Sequence, residues 1–124
     1  MSRVVLIVDD DEHIREVAQV TLEAIAGWTV VTAASGQEGI ARALAEQPDA
    51  ILLDVMMPEM DGPTTVGKLK EGEVTRDIPV VLLTAKVQAE DKRGFMDLGI
   101  EGIISKPFDP MTLADEISHT LGWV

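Results

Sequence analysis

The chain has 124 residues with 22 acidic against 10 basic side chains, a net charge of -12. It is long enough for one proper core and too acidic for the phosphate contacts that nucleic-acid binding requires. It has no cysteine and no tyrosine, which excludes disulfides, thiolate catalysis and cysteine metal sites and leaves no aromatic platform for stacking bases. No apolar run approaches the length of a membrane span, and Met1-Ser2-Arg3 leads directly into a short strand. The reading is therefore no secretory leader, no membrane contact and a cytoplasmic location.

In chain order, Arg3-Val4-Val5-Leu6-Ile7-Val8 is a β-branched run expected to form the first strand. It ends in Asp9-Asp10-Asp11-Glu12, after which Ile14, Val17, Ala18, Thr21, Leu22 and Ile25 recur at helical spacing until Gly27 closes the helix. Asp11 and Glu12 read as first-turn helix residues favoured by the dipole. A second strand is expected from Trp28 to Ala33. Ser35 then reads as an N-cap, with Glu38 as its capping-box partner, for a helix ending near Gln47 before Pro48-Asp49. Ala50 to Asp54 is a continuous apolar run closed by a carboxylate, the pattern of a strand buried on both faces. Met57-Pro58 and Asp61-Gly62 are turn chemistry, and a third helix is expected from about Pro63 to Lys70.

Glu71 to Asp77 reads as a polar loop, and Pro79 to Thr84 as a fourth strand. A weaker helix is expected from Ala89 to Leu98, then a short strand Gly102-Ile103-Ile104-Ser105. The last helix is expected to start at Pro110, with Leu113, Ala114, Ile117 and Leu121 on its inner face. Five strand-helix units with buried apolar strands predict an α/β fold: a doubly wound, five-stranded parallel sheet with helices on both faces. Residues 1–124 read as one domain, without internal repeat or linker.

The polar residues that end these strands converge. In a parallel sheet all carboxyl ends lie on one edge, where ligands bind at the point of strand-order reversal. Strands one, three, four and five end there in Asp9-Asp10, Asp54, Thr84 and Lys106. Singly, Asp54 reads equally as a turn cap, Lys106 as a solvated lysine and Thr84 as an ordinary strand residue. Together they describe a crevice in which three carboxylates repel unless a cation sits among them, and oxygen-only ligands suit Mg²⁺. His13 and His119 read as lying away from this edge, so no zinc site is suggested. A carboxylate nucleophile with cation, hydroxyl and ammonium makes a phosphoryl-transfer site.

Val8-Asp9-Asp10, the run Leu53-Asp54-Val55-Met56-Met57-Pro58-Glu59-Met60-Asp61-Gly62, Leu83-Thr84-Ala85-Lys86 and Ser105-Lys106-Pro107-Phe108 resemble the four signatures of the receiver domains of two-component response regulators. The resemblance covers essentially the whole chain and implies a flavodoxin-like strand order 2-1-3-4-5. It implies that Asp54 accepts a phosphoryl group from the phosphohistidine of a histidine kinase or phosphotransfer protein. Asp10, Asp54 and the Met56 carbonyl would bind Mg²⁺, with Asp9 acting through water. Thr84 and Lys106 would contact the phosphoryl oxygens, with small Ala85 leaving room beside them. A cis Lys106–Pro107 bond, an isomer that proline makes accessible, would aim the ammonium into the crevice. Met56 and Lys86 stand where they would influence the lifetime of the phosphoaspartate.

One departure concerns the switch. Where many receivers carry an aromatic residue on the fifth strand, this chain has Ile103, so the readout would be carried by aliphatic repacking or be absent. By resemblance a downstream protein would bind the face of the fourth helix, fifth strand and fifth helix, and the molecule would be a monomer or weak homodimer. The reading is a signalling module, not an enzyme, standing alone or as part of a longer regulator. Two alternatives are a phosphorylation-independent pseudo-receiver and a phosphotransferase or phosphatase for a small substrate. Against the second, no further general acid or base stands beside Asp54 and no Gly-rich phosphate loop is present.

Overall fold

The computed structural model describes residues 3–85 and 89–123. Strands β1 (Val4–Val8), β2 (Thr29–Ala33), β3 (Ala50–Asp54), β4 (Val80–Thr84) and β5 (Gly102–Ser105) alternate with helices α1 (Glu12–Thr21), α2 (Gly36–Glu46), α3 (Gly62–Glu71), α4 (Ala89–Met96) and α5 (Leu113–Leu121). All strand pairs are parallel, in the order β2-β1-β3-β4-β5, the flavodoxin-like arrangement expected. Because β1 pairs with both β2 and β3, the strand order reverses at β1.

Strand side chains alternate between faces, and this divides the apolar residues between two cores. Leu6, Val8, Ile51, Leu53, Val80 and Leu82 join Ala43 of α2 and Val66 and Leu69 of α3. Val5, Ile7, Leu52, Val81, Leu83 and Ile104 join Ala18 of α1 and Leu113 and Ile117 of α5 on the other side. The central strands are therefore apolar at successive positions up to their last residue rather than at alternate ones.

Several boundaries differ from the sequence reading, each for a local reason. Asp11 is the N-cap of α1 rather than a first-turn residue, its carboxylate accepting from the His13 N–H at 2.9 Å. After Thr21 the helix continues as a π turn, Leu22–Ala26, before Gly27 ends it at φ 71°. The wider turn shifts the helical phase, so Ile25, expected inside, is 49% exposed and Ala26 packs against the core instead. Ser35 caps α2 as expected, but Glu38 reaches back to the Ala34 N–H, one residue before the cap.

The third helix starts one residue early, at Gly62, with Asp61 as its N-cap. Within the 71–77 loop Thr75 is buried and donates to the Leu69 carbonyl at 2.6 Å. The fourth helix stops at Met96, short of Leu98, as the backbone tightens toward Gly99 at φ 83°. The last helix starts at Leu113 instead of Pro110. Asp109 captures the preceding turn, its side chain accepting from Met111 N–H at 2.9 Å and its carbonyl from Thr112 N–H at 3.0 Å.

Gly62 sets the approach of α3 to the end of β3. Its N–H donates to the Val55 carbonyl at 2.9 Å, and a Cβ there would lie 2.8 Å from both the Asp54 carbonyl oxygen and Val55 Cα. Both obstacles are backbone and cannot rotate away. Gly62→Ala is therefore expected to lower unfolding free energy by about 1–3 kcal/mol, read as a lower urea midpoint with an unchanged slope.

Candidate functional site

The period of two that builds the cores also places the polar residues. Asp9 lies two residues beyond Ile7, Asp54 two beyond Leu52 and Lys106 two beyond Ile104, so all three prolong rows of the face packed against α1 and α5. Asp9 follows β1 and Asp54 ends β3, adjacent strands at the point of reversal. Thr84 lies two residues beyond Leu82, in the row of the opposite face, and Ile103 pairs in register with Leu82 on that face.

Asp9 is fully buried and Asp54 is 3% exposed, whereas Asp10, near both, is exposed. Lys106 Nζ stands 3.0 Å from Asp54 Oδ1 and 3.0 Å from Asp9 Oδ2. Only the Asp54 contact has hydrogen-bond alignment, so Asp9 Oδ2 is a buried oxygen with an ion-pair partner but no aligned donor. The other Asp9 oxygen accepts from the Asp11 N–H at 2.9 Å. One ammonium thus serves two buried carboxylates, and the Lys106–Pro107 peptide that precedes the loop to α5 is cis.

Burial pushes the Asp54 pKa above its ordinary value, and the Asp9 charge adds to this; Lys106 and the Met56 N–H pull against it without cancelling it. For Lys106, burial works against the charge, but Asp9 and Asp54 outweigh it and its pKa is raised. Asp61, beside the site, is held below the usual carboxylate range by its bonds to Thr64.

Asp9, Asp10 and Asp54 each bring one carboxylate oxygen within 4.8 Å of the others. This donor set is all oxygen, and Asp9 also carries a buried carboxylate oxygen, Oδ2, without an aligned donor. That chemistry fits a hard divalent cation of the Mg²⁺ type and not a soft metal. The structure thus brings together Asp9, Asp10, Asp54 and Lys106. Thr84 is buried at the end of β4, its carbonyl accepting from the Lys106 N–H at 2.9 Å, and Ala85 follows it, exposed. Met56 is 63% exposed beside the crevice, and Lys86 lies outside the described residues.

His13 corrects the sequence reading. It stands in the first turn of α1 and, with Ile14, Val17, Lys106, Pro107 and Phe108, lines a groove of about 400 Å³ that reaches the crevice. A histidine four residues after Asp9 at a strand-helix corner must lie near the same sheet edge, a constraint the sequence already contained. Arg15 was also missed. Its Nη1 donates to the Asp9 carbonyl at 2.8 Å, although a cation near a helix start is unfavourable to the dipole, and that mismatch was the available signal.

The fold and the site define a receiver domain of the response-regulator type. The family model for the response regulator receiver domain matches residues 5–118, and the chain belongs to that family. The DNA-binding dual master transcriptional regulator RpaA of Synechocystis is 44% identical over 105 residues, covering 85% of this chain and 43% of that protein. The phosphate regulon transcriptional regulatory protein PhoB of Pseudomonas aeruginosa is 37% identical over 121 residues, 98% of this chain and 52% of its own length. The chain thus spans about half the length of these curated relatives. Among solved structures, the chemotaxis response regulator CheY4 of Vibrio cholerae is similar with a TM-score of 0.90 at 34% identity, covering 97% of this chain and 99% of that one.

The raised Asp54 pKa has a stability consequence. The folded state holds that proton more tightly than the unfolded state, so stability falls as pH rises from the unfolded value through the folded one. Asp54→Asn removes this penalty and keeps an oxygen for Lys106. Without divalent cation at pH 7 it is expected to melt at a higher temperature than wild type in EDTA, a gain that shrinks as the pH is lowered into the ordinary carboxylate range.

Proposed function

We propose that this receiver domain is a phosphorylation switch in which Asp54 takes a phosphoryl group from the phosphohistidine of a histidine kinase or phosphotransfer protein. The observation that carries the reading is the Asp54 carboxylate itself. It is buried at the strand-order reversal, shares one ammonium with Asp9 and lies among carboxylate oxygens spaced for a divalent cation. In the transfer a carboxylate oxygen of Asp54 forms the new O–P bond as the P–N bond to histidine breaks.

Asp9, Asp10, Asp54 and the Met56 carbonyl are the proposed holders of Mg²⁺, which when bound supplies positive charge against the phosphoryl oxygens. Lys106 exchanges its bond to Asp54 for one to a phosphoryl oxygen, at little cost because it is already oriented. The Thr84 hydroxyl donates to another oxygen, and Ala85 leaves the space for it. Thr84 and Ile103 occupy the same face of the sheet, so movement of the threonine would be read by repacking of Ile103 among aliphatic neighbours. Met56 and Lys86 are the positions proposed to set the lifetime of the phosphoaspartate.

The module takes part in its own phosphorylation and dephosphorylation but acts by binding, not by turning over a substrate. Its downstream partner is a protein that docks on α4, β5 and α5, with the domain a monomer or weak homodimer in the cytoplasm. Among the described residues no helix is long and apolar enough to cross a membrane. RpaA and PhoB are transcriptional regulators about twice as long, and the strong negative charge here argues against this part of such a protein touching DNA.

Incubation with acetyl phosphate and Mg²⁺, read by rapid-quench intact-mass spectrometry, is expected to add one phosphoryl group to wild type and none to Asp54→Ala. No adduct on wild type would leave an interaction module that works without phosphorylation. Mg²⁺ alone is expected to raise the melting midpoint of wild type, and Asp10→Asn to need about tenfold more Mg²⁺ for the same rise. An Asp10→Asn titration superimposable on wild type would remove Asp10 from the cation site.

A further inference from the structure

The exposed Asp10 carboxylate poses a positional problem. It belongs to the cluster that fits a cation, yet among the described residues no hydrogen bond or ion pair from its own side chain holds it. Its placement depends on the backbone of its neighbours. On one side, Asp11 is tied twice: its N–H donates to Asp9 Oδ1 at 2.9 Å and its carboxylate caps α1. On the other, the Asp9 carbonyl, which is half of the Asp9–Asp10 peptide, accepts from Arg15 Nη1 at 2.8 Å. Rotation of that peptide would swing Asp10 and would break the bond from the guanidinium.

From this geometry we infer that Arg15 is a positioning residue for the divalent-cation site, acting through the Asp9–Asp10 peptide rather than on the ion. The inference rests on the reading that Asp9, Asp10 and Asp54 hold the cation. Arg15 belongs to the first turns of α1, where the helix dipole favours anions, and its own charge repels a cation in the crevice. By charge alone, then, it is the wrong residue for this place. Its donor geometry explains it: a partly buried carbonyl at the corner between β1 and α1 is satisfied from within the same segment, six residues on.

The two effects have opposite signs, which makes the inference testable. If Arg15 acted only through its charge, Arg15→Met would tighten Mg²⁺ binding. If it positions Asp10, Arg15→Met weakens binding although a repelling charge has gone. The expected result is a Mg²⁺ dissociation constant raised on the order of tenfold in isothermal titration calorimetry, the scale typical of partners that orient a metal ligand. Arg15→Lys keeps the charge and a single donor but not the fork, and is expected to fall between wild type and Arg15→Met.

Melting in EDTA reports the structural contribution separately. A lower midpoint with unchanged Mg²⁺ affinity overturns the inference, as does tighter binding by Arg15→Met. If Arg15→Met gives no cooperative melt, Arg15→Lys decides, and an affinity equal to wild type then overturns the inference. Failure of wild type to bind Mg²⁺ overturns the cation reading and the inference together, whereas a binding wild type beside an unaffected variant overturns the inference alone.

Discussion

Two buried carboxylates sharing one ammonium are the constraint on which the rest of this molecule depends. Side by side in a protein interior the carboxylates of Asp9 and Asp54 repel each other, and Lys106 reaches both at 3.0 Å. With Asp10 at the rim, three negative groups face one positive group, so the crevice retains an excess of negative charge that a cation would balance. The unfavourable ionisation of Asp54 is the stability cost of burying this carboxylate beside that of Asp9.

The sheet makes that arrangement possible by simple periodicity. The rows that end in Asp9, Asp54 and Lys106 begin as apolar residues packed against α1 and α5, and the row that ends in Thr84 begins on the other core. The site is therefore continuous with both cores. Thr84 and Lys106 thus extend rows on opposite faces of one sheet. Gly62 adds a further tie, since α3 begins with its backbone against that of Asp54 and Val55.

The opposite edge of the sheet is held by a different device. The helical segment that follows α1 and helix α5 both end in glycines at φ near 70°, Gly27 and Gly122, each followed by tryptophan. Trp28 and Trp123 meet edge to face, centroids 5.3 Å apart, and the Arg3 guanidinium lies 4.0 Å over the Trp123 ring. The tail of α5 is thus fastened at one end, while its other end follows the loop carrying Lys106 and Pro107. Both tryptophans also pack against the core on the α1 and α5 side.

Local chemistry is legible in a linear sequence, and most of this fold is local. The five apolar runs, the caps at Ser35 and Gly27 and the turn at Asp61-Gly62 follow from residue type and spacing. Parallel topology then required Asp9, Asp54, Thr84 and Lys106 to share an edge. What spacing does not contain is the environment that depends on packing between distant segments. Asp54 and Lys106 are 52 residues apart, and only their meeting settles which carboxylate is paired and which, like Asp10, is left exposed. The late start of α5, the phase shift at Ile25 and the reach of Arg15 to the Asp9 carbonyl are local, but they turn on hydrogen-bond geometry that residue spacing does not state. Sequence by itself determined which side chains would gather at one edge of the sheet, because a parallel strand can end only there. The tertiary structure decided their burial and hydrogen-bond partners, because both depend on atoms that folding alone brings within a few ångströms.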